Sequence, residues 1–276
     1  MPSYVITGVS RGLGWEFMKQ LSDDAENTVI GIVRNKPLTD KRVAEELSSR
    51  PNITILEADL TNYDELKNAS INAASITGGS LDYLIANAAY STPLDTYDNI
   101  GTLPGDTKRG QRPQELSDEF SKSVANVLGT IHLYNLFMLQ ILEGAAKKVV
   151  AISSGIADID WINDYGNEAL SLNAMSKAAL NVATAKFSAQ YKRDGVLFLS
   201  VCPGLVDTGH FVEPTPEQRA RLEGMLAKFG EYAPGFKGPI TPTESVKAVL
   251  SVVENASIAK GDGGRFLSHF GNKQWL

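Results

Sequence analysis

A strand-like run, Tyr4-Val5-Ile6-Thr7, passes directly into Gly8, then Gly12 and Gly14, and from there into a helical stretch. Glycines spaced Gly-x-x-x-Gly-x-Gly at an opening strand–helix junction leave few architectures open. Glycine reaches backbone conformations closed to other residues, so the chain can turn tightly and bring its amides close to a ligand. The helix that follows points its free N–H groups at the same place, which favours a diphosphate there. The loop Thr7-Gly8-Val9-Ser10-Arg11-Gly12-Leu13-Gly14 therefore predicts a dinucleotide site, with Gly8, Ser10, Arg11, Gly12, Leu13 and Gly14 around the diphosphate.

The remainder of the chain has the rhythm that such a loop requires. Short apolar runs at Thr28–Val33, Ile53–Glu57, Leu81–Ala86, Lys148–Ser153, Val196–Cys202 and Arg265–Leu267 mostly lack polar alternation, as strands covered on both faces do. Helical patterns lie between them at Leu13–Leu21, Asp40–Ser49, Asp64–Ile76, Gln114–Leu142, Leu172–Tyr191 and Pro242–Asn255. Strands separated by helices imply βαβ units, so the expectation is one Rossmann-type, doubly wound α/β domain over residues 1–276 with a seven-stranded, mostly parallel sheet. Two segments rich in Gly and Pro break the rhythm, residues 91–113 and 208–241, the second around a short helix at Glu217–Phe229. Long loops of this kind inside a compact domain are usually functional, so these two should form the substrate side. His210, in the second segment, is a further candidate for the pocket.

Charge narrows the cofactor and the partners. An NAD-type site carries an acid about 20 residues past the glycine loop, on the ribose hydroxyl. Here the second strand ends in Val33-Arg34-Asn35, with no carboxylate in that turn, and Arg11 lies in the glycine loop itself. Two guanidinium groups suit a 2′-phosphate, so NADP(H) is expected. The formal net charge of -6, without a basic run, argues against nucleic acid. The single cysteine, Cys202, cannot close an internal disulfide; it fits a reducing compartment and a place in the core. A strand begins within the first residues, with no charged-then-apolar leader and no run of about 18 apolar residues. A soluble cytoplasmic protein with a small-molecule substrate and no membrane partner is the expectation.

Further markers fall in order along almost the whole chain: Asp59-Leu60, Asn87-Ala88-Ala89, Asn126, Ser153-Ser154, Ser176-Lys177-Ala178-Ala179, Pro203-Gly204 and Thr208. Together with the glycine loop they resemble the short-chain dehydrogenase/reductase family, most nearly its carbonyl-reductase branch of sniffer- and C-factor-like proteins. The resemblance implies that Asp59, followed by Leu60, bonds the adenine amino group. It implies that Asn87 and Ala88 lie under the cofactor ribose and that Asn126 organises a proton-relay water. Ser154 would hold the substrate carbonyl, and Lys177 the nicotinamide ribose. Pro203, Gly204, Val206 and Thr208 would border the nicotinamide. The family also tends to oligomerise across its two long helices, here Gln114–Leu142 and Leu172–Tyr191, which implies a homo-oligomer.

One element of the family pattern is missing. The resemblance places a catalytic tyrosine four residues before Lys177, and Asn173 stands there. A carboxamide donates a hydrogen bond but has no proton to transfer near neutral pH. General-acid catalysis contributes about 10²–10⁴ in rate, so its loss matters. Three readings remain open. The chain is a reductase with altered proton delivery, with Tyr165 or Tyr90 as the phenol or a substrate that needs less help. It is a non-redox enzyme that guides cyclisation, isomerisation or elimination in the same pocket. Or it is a catalytically silent cofactor-binding protein.

Overall fold

The computed structural model describes residues 1–103, 113–209 and 213–276; His210 lies outside them. Seven strands, β1 (Ser3–Thr7), β2 (Thr28–Val33), β3 (Ile53–Glu57), β4 (Tyr83–Ala86), β5 (Lys148–Ile152), β6 (Leu197–Cys202) and β7 (Phe266–Ser268), form one sheet in the order β3-β2-β1-β4-β5-β6-β7. Every neighbouring pair is parallel, so the sheet is parallel throughout rather than mostly so. The unbroken apolar character of β5 and β6 is the cause: neither strand has a polar face to offer water, and their side chains are almost all buried.

Helices cover both faces. On one, α1 (Gly12–Leu21) and α8 (Pro242–Asn255) close a core around Phe17, Met18, Ile6, Val246 and Val249. On the other, α3 (Tyr63–Thr77), α4 (Pro113–Glu143) and α6 (Ser171–Tyr191) close a second core around Leu66, Tyr134, Phe137 and Phe198. α4 has the length and apolar character of a membrane span, but here it is a core helix that fully buries Leu133, Tyr134, Phe137 and Ile141. A third, smaller cluster of Trp161, Cys202, Phe229 and Trp275 sits beyond the carboxyl end of β6, beneath α7 (Pro216–Tyr232).

Four stretches differ from the sequence reading by more than one residue, each for a local reason. α2 runs over Lys36–Glu46, not Asp40–Ser49. Asn35 caps it by accepting the Leu38 N–H at 3.0 Å, and Pro37 falls in the first turn, where its missing N–H costs nothing. α7 is longer than the predicted Glu217–Phe229 because Thr215 and Gln218 form a reciprocal capping box at its start. Between Ser153 and Leu172, where the sequence pattern shows no helix, lie a 3₁₀ turn at Gly155–Ala157 and α5 at Ile159–Tyr165. Asp158 caps α5, and Gly166, at φ +58°, ends it. β4 begins at Tyr83 rather than Leu81, because the Leu81 N–H bonds the Gln140 carbonyl instead of a strand neighbour.

Strand order reverses between β1 and β4. In open α/β sheets the ligand crevice lies at such a switch point, outside the carboxyl ends of the strands.

Candidate active site

The glycine turn is built against the end of β4. Gly8 has φ +76°, and a Cβ there would lie 2.9 Å from the Ala88 Cα. A Cβ on Gly14 would lie 2.2 Å from the Gly8 carbonyl oxygen, so only glycine allows α1 to start this close to β1. Thr7 Oγ1 accepts the N–H groups of Asn87 and Ala88 at 3.1 and 3.0 Å, and the Asn87 carboxamide donates to the Thr7 carbonyl at 3.0 Å. Asn87 thus braces the turn with its own side chain. Gly12, at φ +56°, behaves differently: a Cβ there would meet nothing nearer than Thr208, at 3.7 Å. The loop after β6 therefore lies beside the glycine turn, near enough that a single methyl group on Gly12 would touch Thr208, so both segments could flank a diphosphate at the helix N-terminus.

Arg11 and Arg34 are both exposed, and neither guanidinium donates a hydrogen bond among the described residues. The carboxylates at the neighbouring strand end are engaged: Glu57 accepts the Lys36 N–H at 2.9 Å, and Asp59 accepts the Thr61 N–H and hydroxyl at 2.8 and 2.7 Å. Burial works against ionisation of Asp59, but the Thr61 bonds and nearby Arg34 outweigh it and hold its pKa below the usual carboxylate range. Leu60 is fixed from below, because Gly129 of α4 leaves just enough room for the Leu60 carbonyl. A third cation, Arg42 of α2, escaped the sequence reading. It lies 3.8 Å over the Trp15 ring, donates to the Ser10 carbonyl at 3.0 Å and pairs with Glu46. A reach of 32 residues back to the glycine turn leaves no local signal.

On the substrate side, α6 carries Asn173 and Lys177 one turn apart, facing the end of β5. Lys177 Nζ donates to the Ile152 carbonyl at 2.7 Å. Burial pushes the Lys177 pKa down to about 8, and no carboxylate among the described residues is paired with it. Two residues beyond Ile152, the Ser154 hydroxyl has no partner among the described residues, and neither has the Asn173 carboxamide. The Ser154 turn is held from both sides. The Gly155 N–H donates to Cys202 Sγ at 3.1 Å, and Trp275 packs so tightly on Gly155 that a Cβ there would come within 2.6 Å of it. Burial raises the Cys202 thiol pKa, which suits this structural use. Pro203 is anchored by the Ser245 hydroxyl at 2.7 Å, the space beside Gly204 is filled by the His269 ring, and Val206 bridges to Ile240.

Three predicted roles meet competing demands. Asn126 exchanges two 2.7 Å hydrogen bonds with the Tyr90 backbone, and its carbonyl accepts the Thr130 hydroxyl, so side chain and carbonyl are both occupied. The Tyr90 phenol donates to Glu119 at 2.6 Å, and that bond raises its pKa. Tyr165 does not fold back toward Asn173. Its ring packs edge-on against Tyr232 at 4.9 Å and beside Trp161 at 6.2 Å, and no hydrogen bond joins its phenol to Ser154, Asn173 or Lys177.

The comparisons agree with this architecture. The sequence signature described as short chain dehydrogenase matches residues 3–219. The short chain dehydrogenase virK of Hypocrea virens is 55% identical over 277 residues, covering 100% of each chain. Among solved structures, the carbonyl reductase Sniffer of D. melanogaster superposes with a TM-score of 0.74 at 21% identity, over 99% of this chain and 98% of that one. An NADPH-bound carbonyl reductase from chicken fatty liver gives 0.73 at 22% identity, with the same coverage. A glycine turn at the β1–β4 switch point, a lysine on α6 and a match spanning most of the sequence lead to one conclusion: the chain belongs to the short-chain dehydrogenase family.

Proposed function

We propose that the protein is an NADP(H)-dependent short-chain reductase that adds hydrogen across a carbonyl, enone or imine of a small organic molecule, with Asn173 where the family pattern has tyrosine. The observation that carries the reading is the pair of exposed guanidinium groups, Arg11 and Arg34, neither with a hydrogen-bond partner among the described residues, beside a turn whose neighbouring carboxylates are already bonded. A 2′-phosphate offers two such guanidinium groups an acceptor for charge-assisted hydrogen bonds. Gly8, Gly12, Gly14 and Thr208 would hold the diphosphate, Asp59 and Leu60 the adenine, and Asn87, Ala88 and Lys177 the riboses. The chicken carbonyl reductase of the same fold was crystallised with NADPH, in keeping with this choice.

When bound, the nicotinamide supplies the hydride. Ser154 and Asn173 hold the acceptor oxygen with two neutral hydrogen bonds. Neither yields a proton near neutral pH. With Tyr90 tied to Glu119 and Tyr165 in aromatic packing, Lys177 is the acid that remains. Its N–H bond breaks as the product O–H bond forms, and the neutral amine regains a proton from water. An ammonium with a pKa of about 8 is suited to this at neutral pH.

The missing tyrosine also favours a second reading, in which the same pocket guides a non-redox rearrangement. Incubation with ketones, enones and cyclic imines, followed by NADPH absorbance and product mass, separates the two. NADPH loss with a gain of two hydrogens supports the reductase; product at unchanged mass and unchanged NADPH supports the rearrangement.

We further infer a cytoplasmic homo-oligomer. Its support is that α4 is packed into the core, while α4 and α6 leave Leu128, Leu139 and Val182 exposed. Light scattering that returned a monomer mass would reject the oligomer.

A further inference from the structure

The hydrogen-bond ladder of α1 opens with the Trp15 N–H on the Arg11 carbonyl at 3.3 Å. The N–H groups of Arg11, Gly12, Leu13 and Gly14 have no acceptor among the described residues. Free donors are usual at a helix start. The acceptor one position earlier is less usual. An α-helix beginning at Ser10 would give its carbonyl to the Gly14 N–H. Here Arg42 Nη1, reaching across from α2, donates to that carbonyl at 3.0 Å instead.

That bond sets the direction of an amide. The Ser10–Arg11 peptide is trans and planar, so its C=O and its N–H point in opposite directions. A carbonyl held toward α2 turns the Arg11 N–H away from α2. Arg42 is itself held by both helices. Its guanidinium lies 3.8 Å over the ring of Trp15, on α1, and its Nε and Nη2 donate to the carboxylate of Glu46, on α2, at 2.8 and 3.3 Å. A planar fork can lie on a ring and serve two acceptors at once, which a lysine cannot. The paired charge and the covered face set Arg42 apart from Arg11 and Arg34, whose guanidinium groups have no partner among the described residues.

Resting on the dinucleotide site, but not on the choice of NADP(H), we propose that Arg42 is a positioning residue for the cofactor: it fixes the Ser10–Arg11 peptide so that the Arg11 N–H is presented to the diphosphate, and it does not touch the cofactor itself. Without it the Ser10 carbonyl is free to rotate toward the diphosphate, and an oxygen replaces a donor. NADPH and NADH share that diphosphate, so the loss falls on both.

The test is titration of the full chain with NADPH and with NADH, followed by cofactor fluorescence well below Tm. Arg42→Met keeps an aliphatic stem over Trp15 and removes the donors. It should weaken both dinucleotides by the same factor, about tenfold, the lower end of what a hydrogen bond to a charged group contributes. Glu46→Gln adds positive charge beside the turn but leaves an acceptor for Arg42 Nε, and should leave both affinities within twofold. Circular dichroism shows that each variant is folded. In the unsubstituted protein, the Arg11 amide should gain protection from hydrogen exchange, followed by NMR, when either dinucleotide is added. A loss confined to NADPH makes Arg42 a ligand of the 2′-phosphate. A gain for both dinucleotides in Glu46→Gln makes its charge the cause. Unchanged affinity in Arg42→Met, or an Arg11 amide that gains no protection, leaves it only packing on Trp15. Each of these overturns the proposal. Equal affinity of the unsubstituted protein for NADPH and NADH would reject the NADP(H) choice alone and leave the Arg42 comparison standing. No affinity for either would reject the site, and the proposal with it.

Discussion

Lys177 Nζ lies 2.7 Å from the Ile152 carbonyl oxygen, the one acceptor that this inward-facing ammonium has among the described residues. The native pKa of about 8 is below the ordinary lysine value near 10.4. Between these two values the unfolded chain binds more protons than the native one, so stability should rise with pH across that window, by at most about 3 kcal/mol. Urea denaturation of the apoprotein at pH 7.5 and pH 10 should show this rise, and Lys177→Met should remove it. The same group predicts that reduction is fastest below pH 8 and slows above it, as the acid is lost.

Asp95 accepts the Leu172 N–H at 2.6 Å, and its backbone carbonyl takes the Leu170 N–H at 3.0 Å. These bonds fix the first turn of α6, which carries Asn173, with Asp95 fully buried. Asp95→Ala leaves a buried N–H unmatched and should cost about 1–3 kcal/mol in urea denaturation. Asp95→Asn retains an acceptor, and burial already raises the Asp95 pKa, so the neutral amide should cost less than the alanine change.

Two glycines of the same turn should fail differently. Gly14→Ala drives a methyl group into the Gly8 carbonyl and should yield little folded protein. Gly12→Ala makes only an ordinary contact with Thr208 but holds a left-handed residue, at a cost of roughly 1–2 kcal/mol, and its methyl group sits in the proposed diphosphate cradle. It should fold, with a lower Tm, and lose nicotinamide dinucleotide binding at least tenfold. Thermal melts and cofactor titrations of the two variants distinguish these outcomes.

Asn173→Tyr introduces a phenol one turn before Lys177. If proton supply limits carbonyl reduction, kcat should rise at least tenfold, within the 10²–10⁴ that general acids contribute. An unchanged kcat, with intact NADPH binding, would show that another step is limiting.

Much of this fold was readable because its strands are chemically plain. Runs such as Lys148–Ile152 and Leu197–Cys202 carry no alternation, which leaves a sheet buried on both faces as the consistent solution. The glycine turn was readable because Gly8 and Gly14 occupy places where a Cβ has no room. What escaped notice depended on distance or brevity. α5 has only seven residues, too few to display a period. The N-terminal turn of α2 was hidden by Pro37, which reads as a breaker until Asn35 is seen to cap it. Arg42 on Ser10, Cys202 beneath Gly155 and Asp95 at the start of α6 join residues tens of positions apart. The place of Lys177 was legible, but the carbonyl that holds it was not.

The central claim is that the turn between β1 and α1, flanked by Arg11 and Arg34, binds NADP(H). Titration of the purified apoprotein with NADPH and with NADH, followed by cofactor fluorescence, tests it directly. The account predicts NADPH binding at least tenfold tighter than NADH, with the difference lost in an Arg11→Ala, Arg34→Ala double variant. Equal affinity for the two dinucleotides would contradict the cofactor assignment, and no binding of either would contradict the site itself.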